Sequence, residues 1–196
     1  MNNQSYFDRY RGRSHHSMIK IIPMTREDYE NQPVSYSCFA TPCGNIMIAS
    51  TSKGICYLGF SDTNNRALQD LQQRFPKVSL CNTITRKQED AIRFFTDDWN
   101  RLDPIILHVK GTSFQLNVWE ELLKIPIGNL VTYQDIAQKV EKSKAFRAVG
   151  SAIGKNPVSI LIPCHRVICS SGKLGGFYWG INQKISLLQN EKALIL

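Results

Sequence analysis

The chain has 196 residues, of which 42% are hydrophobic, so it can form one large domain or two small ones around a substantial core. This hydrophobic content excludes collagen-like and disordered proteins. The longest apolar runs fall far short of the roughly 20 residues that span a bilayer, which excludes a transmembrane protein. The net charge of +8 is concentrated late in the chain, because residues 111–196 hold ten Lys and Arg against five Asp and Glu. Such a balance indicates either a polyanionic partner or an ordinary basic surface.

Residues 1–33 are polar, rich in Asn, Arg and Ser, and show no sustained hydrophobic period. This pattern predicts a loosely ordered N-terminal extension. The basic residues near the start are not followed by the apolar stretch of a secretory signal, and cysteine is sparse. We therefore expect a cytoplasmic protein with reduced cysteines and no membrane association.

Residues 34–110 are predicted to form an α/β domain. Three β-prone runs separated by turn-forming residues predict an antiparallel meander over residues 34–40, 46–50 and 55–60. Two helical patterns follow, one from Ala67 to Phe75 and one from Ile92 through Trp99 to Leu102. The segment 102–111 is expected to cross into a second domain, with the boundary near Gly111.

Residues 111–196 are predicted to form a mostly helical domain. Ser113 can cap a first helix, and Thr132 with Asp135 has the spacing of a capping box at the start of a second. A further helix, residues 145–155, follows after a short turn, which is the geometry of a helix-turn-helix. A last helical pattern covers residues 182–194.

The second helix of this predicted pair has little bulk on its surface, because it contains Ala148, Gly150, Ser151, Ala152 and Gly154. Small residues permit close approach of the backbone, either to a neighbouring helix or to a DNA groove. Basic residues surround this helix, and lysines and arginines are the usual partners of phosphates. The coincidence of the two signals favours DNA.

The densest chemical signal is a buried apolar strand, from Asn156 onward, that ends in Pro163, Cys164 and His165. A thiol is a strong nucleophile once ionised, so Cys164 needs a base, and His165 is the nearest candidate. Glu191 on the last helix can orient the imidazole if that helix packs back on the strand. A buried, inert cysteine beside a surface histidine is the common alternative, and the cysteine spacings do not match those of structural zinc sites.

The sequence Pro163-Cys164-His165-Arg166-Val167 is similar to the active-site signature of the methylated-DNA-protein-cysteine methyltransferases, also called O6-alkylguanine-DNA alkyltransferases. Further matching segments are residues 128–137, 147–150 and 156–157, Lys184 with Leu187 and Leu188, and the meander region. The resemblance covers residues 36–194. It implies a ribonuclease H-like N-terminal domain with an antiparallel sheet and helices, and a winged-helix-like C-terminal domain with a helix-turn-helix.

The resemblance also implies a reaction. Cys164 would accept the alkyl group of O6-alkylguanine, or of O4-alkylthymine, from double-stranded DNA in a single turnover, as a monomer without metal or cofactor. His165 would act as base through a water, with Glu191 holding it, Asn156 supporting the thiol and Tyr133 protonating the departing guanine. Arg147 would fill the gap left by the flipped nucleotide. The implied DNA contacts are Tyr133, Lys144, Arg147, Ala148, Ser151 and Lys155, and the implied guanine pocket is Tyr133, Ile153, Ser159, Val167, Gly175, Phe177 and Tyr178.

Two positions depart from the family pattern. Phe177 stands where many relatives have Tyr, and Ser159 occupies a variable pocket-edge position, so both bear on which adducts are accepted. The main alternative is a lesion-binding relative without transfer activity, but such proteins lack the acceptor thiol that is present here. A sequence-reading transcriptional regulator would need long polar side chains on the second helix, and a thiol hydrolase would not explain Arg147.

Overall fold

The computed structural model describes residues 9–61, 65–143 and 145–193, and these form two compact units. The first, called here the sheet unit, comprises Met18–Gly111 and Pro157–Ser159. The second, called the cysteine unit, comprises residues 9–17, Thr112–Asn156 and residues 160–193. The cysteine unit is therefore built from three segments of the chain, one before the main part of the sheet unit and two after it.

The sheet unit contains a six-stranded mixed sheet with the order β1-β6-β4-β3-β2-β5. Its strands are β1 (Ile19–Pro23), β2 (Val34–Thr41), β3 (Gly44–Ser50), β4 (Ile55–Phe60), β5 (Leu80–Asn82) and β6 (Ile105–Val109). Its helices are α1 (Arg26–Asn31), α2 (Arg66–Arg74) and α3 (Arg86–Arg93), and a 3-10 turn covers Trp99–Arg101. The central strand β4 is buried along its whole length, so the core lies on both of its faces.

The predicted meander is present, since β3 pairs antiparallel with both β2 and β4. The expectation of a wholly antiparallel sheet is wrong, because β1 and β6 pair in parallel and β5 joins β2 in parallel. The β-branched run from Ile105 forms strand β6 instead of crossing to a second domain. Ile105 pairs with Ile19 there, in a register that the local sequence does not encode.

The sequence pattern predicts that Trp99 continues the preceding helix, but the structure places it outside that helix. Helix α3 ends at Arg93, and the Asp98 side chain accepts a hydrogen bond from the Asn100 N–H to start a separate turn. The Trp99 ring stacks on Phe94 with ring centroids 4.5 Å apart, and its indole N–H donates to the Phe94 carbonyl. Phe94 and Trp99 are thus both buried, although no continuous helix joins them.

The prediction of a loosely ordered extension over residues 1–33 is wrong for its described part, residues 9–33. Strand β1 pairs with β6, and α1 begins at a capping box between Thr25 and Asp28. Both elements are short, so their hydrophobic period is not visible in the sequence, and long-range strand pairing supplies the order.

The cysteine unit is mostly helical. Its helices are α4 (Ser113–Leu123), α5 (Tyr133–Lys139), α6 (Phe146–Gly154) and α7 (Ile181–Asn190), and two short strands, β7 (Val131–Thr132) and β8 (Val167–Ile168), pair in parallel. The predicted capping box of Thr132 and Asp135 starts α5, whereas α4 is capped by Thr112 and not by Ser113. Helices α5 and α6 contact each other and are joined by six residues.

None of the helices in the described ranges is long and apolar enough to cross a membrane.

Candidate active site

Cys164 lies at the start of a 3-10 helix, Cys164–Arg166, in the cysteine unit. The segment before it is buried, as predicted, but it is not the predicted strand: Ile160 and Leu161 form a turn, and Ile160 has a φ of 70°. Further along, the Cys164 N–H donates to the Ile162 carbonyl at 2.8 Å. Only 7% of Cys164 is exposed, so its thiol is largely removed from water.

Asn156 fixes the thiol from the side. Its Nδ2 donates to the Cys164 Sγ at 3.1 Å and to the Ile162 carbonyl at 2.9 Å. An amide N–H can only donate, so this contact favours the sulfur as an acceptor and hence as thiolate. Asn156 therefore lies against the thiol, and its role in the reaction stays a prediction.

His165 is completely buried, and its Nε2 lies 2.8 Å from Glu191 Oε1. Burial alone would raise the pKa of Glu191, but the neighbouring His165 and Arg166 hold that pKa well below its usual range. The carboxylate therefore accepts, and His165 Nε2 carries the proton. Burial lowers the pKa of His165, so its Nδ1 is an unprotonated acceptor, and this atom has no hydrogen-bond partner among the described residues.

Arg166, one of the ten basic residues of the C-terminal part of the chain, is fully buried and belongs to the same cluster. Its Nε and Nη2 bind Glu191 Oε2 and Oε1 at 2.9 and 2.8 Å, which is a bidentate arrangement. Its Nη1 donates to the Ile125 carbonyl at 2.7 Å. Glu191 is therefore shared between a guanidinium and the imidazole of His165, and its position is fixed at both oxygens.

The electrostatics of the thiol reflect burial opposed by nearby donors. Burial raises the pKa of Cys164, while the Asn156 amide and the Lys184 ammonium act to lower it. Lys184 is itself fully buried, and its Nζ donates to the carbonyls of Val167 and Leu174. Burial lowers the pKa of Lys184 to about 8, so the residue is still mainly cationic at neutral pH.

Tyr133, at the first position of α5, borders a cavity of about 380 Å³. Gln134, Phe146, Gly150, Cys169 and Ser170 complete the lining. Burial raises the pKa of the Tyr133 phenol, which keeps the hydroxyl protonated and able to donate.

The other residues predicted for a guanine pocket are all described, and they are not part of this lining. Gly175 contacts Tyr133, Ile153 is buried in α6, and the Val167 carbonyl is bound by Lys184. Phe177 is half-buried, and Tyr178 is exposed and packs edge-on against Trp179. Ser159 lies in the sheet unit, where its N–H donates to the Leu58 carbonyl.

Four of the six residues predicted to contact DNA lie on α6 and its end. Arg147, Ala148, Ser151 and Lys155 are all exposed, whereas Val149 and Ala152 of the same helix are buried. The Arg147 guanidinium lies 5.9 Å from the centre of the exposed Phe146 ring. Of the other two predicted contacts, Tyr133 lies on α5 at the cavity, and Lys144 lies outside the described residues.

Three residues of this site were given no role by the sequence analysis. Lys184 precedes Leu187, Leu188 and Glu191 by three, four and seven residues, so the helical period already places its side chain on the buried face of α7. Arg166 and His15 carry no comparable signal, because each is buried against residues that are distant in sequence. Within the described ranges, no group of three or more His, Cys, Asp or Glu side chains is arranged to hold a metal ion.

The geometry is that of a buried cysteine next to a histidine that a carboxylate orients, an arrangement typical of proteins with a thiol nucleophile. The family model that describes the DNA-binding domain of 6-O-methylguanine DNA methyltransferase matches residues 113–193. The inducible methylated-DNA-protein-cysteine methyltransferase of Bacillus subtilis is 37% identical over 169 residues, which cover 83% of this chain and 93% of that protein. The chain therefore belongs to the methylated-DNA-protein-cysteine methyltransferase family, as its active-site sequence predicts.

Two further relatives place the chain within that family. The bifunctional transcriptional activator/DNA repair enzyme Ada of Escherichia coli is 35% identical over 168 residues, which are 85% of this chain but 48% of Ada, so the chain spans about half the length of Ada. The crystal structure of Mycobacterium tuberculosis OGT in complex with DNA has a TM-score of 0.62 and 32% identity, and the match covers 81% of this chain and 92% of that one.

Proposed function

We propose that the protein repairs double-stranded DNA by moving an alkyl group from O6 of guanine to its own Cys164. The observation that carries the proposal is the buried Cys164 thiol, with Asn156 donating to its sulfur and His165 donating through Nε2 to the Glu191 carboxylate, which leaves Nδ1 of the imidazole unprotonated. Such a site can generate a thiolate without a cofactor or metal. Family membership supplies the substrate class.

In the proposed reaction the proton of the Cys164 thiol passes through a water to His165 Nδ1, and Glu191 stabilises the imidazolium that forms. The thiolate then attacks the alkyl carbon in line, so an S–C bond forms as the C–O6 bond breaks. Tyr133 gives its phenolic proton to the departing guanine. A thioether has no easy hydrolysis route, so each molecule acts once.

We also propose that the damaged nucleotide leaves the base stack before it reacts. An alkyl carbon inside a duplex is out of reach of a buried thiol, and flipping costs a few kcal/mol, which Arg147 would offset by filling the gap. The exposed face of α6 fits the minor groove, where readout of sequence is poor and repair in any sequence is possible. In this interpretation α5 and α6 form the helix-turn-helix of a winged-helix-like domain, and the sheet unit is ribonuclease H-like.

The predicted pocket residues Ile153, Ser159, Val167, Gly175, Phe177 and Tyr178 remain proposals, as do the DNA contacts through Lys144, Ala148, Ser151 and Lys155. Phe177 lacks a hydroxyl that many relatives have, so any hydrogen bond from that position is lost while ring packing is retained. The monomeric state and the cytoplasmic location likewise stay predictions. A lesion-binding function without transfer is disfavoured, because it would leave Cys164 and its supporting residues without a role.

The test is the intact mass of the protein before and after incubation with a duplex that contains one O6-methylguanine. We expect the mass to rise by one methyl group and to stop at one per chain, with no change in Cys164→Ser. Lesion-selective binding without a mass change would instead assign the protein to the binding-only relatives. Methylation of a residue other than Cys164 would overturn the assigned acceptor.

A further inference from the structure

The segment of residues 9–17 is built into the cysteine unit, although Met18–Gly111 separates it from the rest of that unit in sequence. The Gly12 N–H donates to the Ile127 carbonyl at 3.0 Å, and the Ile127 N–H donates to the Arg13 carbonyl at 2.9 Å. Tyr10 is 2% exposed. These paired backbone hydrogen bonds and the buried ring anchor the segment next to the active-site helices.

The same segment delivers His15 to the buried cluster beneath Cys164. His15 is 2% exposed, with Nδ1 2.8 Å from the Leu161 carbonyl and Nε2 3.0 Å from Arg166 Nη2. A carbonyl oxygen can only accept, and a guanidinium can only donate. Nδ1 must therefore carry the proton and Nε2 must be the acceptor, so the contacts specify a neutral imidazole in a single tautomer.

The contacts continue from His15 to the proposed base. The Arg166 Nη2 that donates to His15 also donates to Glu191 Oε1, and the same carboxylate oxygen accepts from His165 Nε2. We propose that His15 is a positioning residue, which holds the Arg166 guanidinium in the orientation that clamps Glu191 and thereby sets His165 for proton transfer from Cys164. The inference rests on the proposed function for its reaction, but the four-residue chain of contacts stands independently of it.

The neutral state of His15 is essential to this arrangement. The charged and titratable groups that face it are Arg166, Glu191 and His165, and burial together with Arg166 holds the pKa of His15 well below its usual range. A proton on Nε2 would place two donors and two positive charges against each other at 3.0 Å. Loss of the acceptor, by protonation or by substitution, would release Arg166 from one of its partners and free Glu191 to move.

The experiment compares three variants of the full chain. His15→Gln retains a side-chain oxygen that can accept from Arg166, His15→Leu removes both hydrogen bonds, and His16→Leu changes the exposed neighbouring histidine as a matched control. Each is assayed for single-turnover transfer from the O6-methylguanine duplex, with the rate expressed per reactive molecule. Each is also treated with iodoacetamide across a pH range, and modification at Cys164 is followed by peptide mass spectrometry.

We expect His15→Leu to lower the rate of Cys164 modification at neutral pH by about tenfold or more, because a displaced His165 accepts the thiol proton less effectively. The pH profile of the modification should move to higher pH for the same reason. His15→Gln should keep most of the rate, and His16→Leu should match the natural chain. A merely structural role for His15 would reduce the amount of folded protein without moving the pH profile per reactive molecule, and that result would overturn the proposal.

The tautomer supplies a test that needs no variant with reduced stability. Side-chain ¹⁵N resonances of the natural chain should show His15 as the neutral Nδ1–H form at neutral pH, and a cationic or Nε2–H imidazole would contradict the inference.

The reaction of Cys164 with iodoacetamide needs no DNA, so it tests the positioning role separately from the proposed function. If the pH profile responds to His15 while the duplex is never demethylated, the proposed function fails and the positioning role stands.

Discussion

Tyr133 and Gly175 lie close together, since a Cβ added at Gly175 would lie 3.0 Å from the Tyr133 hydroxyl oxygen and 3.2 Å from its Cε2. This spacing is tighter than an ordinary van der Waals contact. The Tyr133 ring would therefore have to move by a few tenths of an ångström to admit a side chain at position 175.

We predict that Gly175→Ala slows alkyl transfer, because the added methyl group displaces Tyr133. Gly172→Ala is the matched control, since Gly172 also has a positive φ, 80° against 70° at Gly175, but an added Cβ there would meet nothing within 4 Å. Both variants should lose about 1–2 kcal/mol through the left-handed backbone. Equal transfer rates for the two, measured in single turnover, would show that the contact with Tyr133 does not matter.

Glu191→Gln should destabilise the protein by about 3–5 kcal/mol, because it leaves the buried Arg166 guanidinium without its countercharge. The measurement is urea unfolding at neutral pH, with the exposed Glu141→Gln as control. The pKa of Glu191 is lowered in the folded state, so its contribution to stability is present above the carboxyl's ordinary pKa and is lost as the pH falls. The variant should consequently lose less stability than the natural chain on acidification.

Lys184→Met should abolish a rise in stability at alkaline pH. The pKa of Lys184 is about 8 in the folded state against 10.5 ordinarily, so between these values the unfolded chain binds a proton that the folded chain has released. Stability of the natural chain therefore rises through this window, by at most about 1.4 kcal/mol per pH unit from this group. Unfolding of both proteins across the window measures the difference, and parallel pH dependences would contradict the assignment.

The same substitution should also raise the pKa of Cys164 further, since it removes the buried ammonium that favours the thiolate. We expect the rate of Cys164 modification by iodoacetamide to fall at neutral pH and its pH profile to move upward. A profile that stays in place would mean that the Lys184 ammonium does not contribute to the ionisation of the thiol.

Local signals in the sequence predicted the elements that form from neighbouring residues. The capping box of Thr132 and Asp135 and the meander of β2 to β4 are decided within a few residues, and both are present. Strand β6 and strand β1 were missed, because Ile105 and Ile19 are ordered by a parallel pairing across more than eighty residues. Trp99 was placed on a helix because its apolar spacing fits one, although Asp98 begins a new turn.

The active site divides in the same way. Cys164, His165 and Glu191 are candidates from the chemistry that a thiol nucleophile requires and from the helical pattern that carries Glu191. The residues alone leave an inert cysteine as the alternative, and the resemblance decides between the two. The inward orientation of Arg166 and His15 could not be predicted, since a charged or polar side chain is ordinarily exposed and its burial depends on partners distant in sequence. Resemblance to a family supplied the roles of Asn156 and Tyr133, which the residues alone did not.

Tyr133→Phe should separate binding from transfer. The raised pKa of Tyr133 keeps its phenol protonated at neutral pH, so in the proposed reaction it can donate to the guanine as the C–O6 bond breaks. Removing a general acid costs about 10²-fold or more, whereas the ring of Phe preserves the packing at the cavity edge. The prediction is a large loss of single-turnover rate with lesion binding nearly unchanged, where binding is measured by fluorescence anisotropy in a Cys164→Ser background. Comparable losses of rate and affinity would assign Tyr133 to holding DNA, and an unchanged rate would leave the proton of the departing guanine to come from solvent.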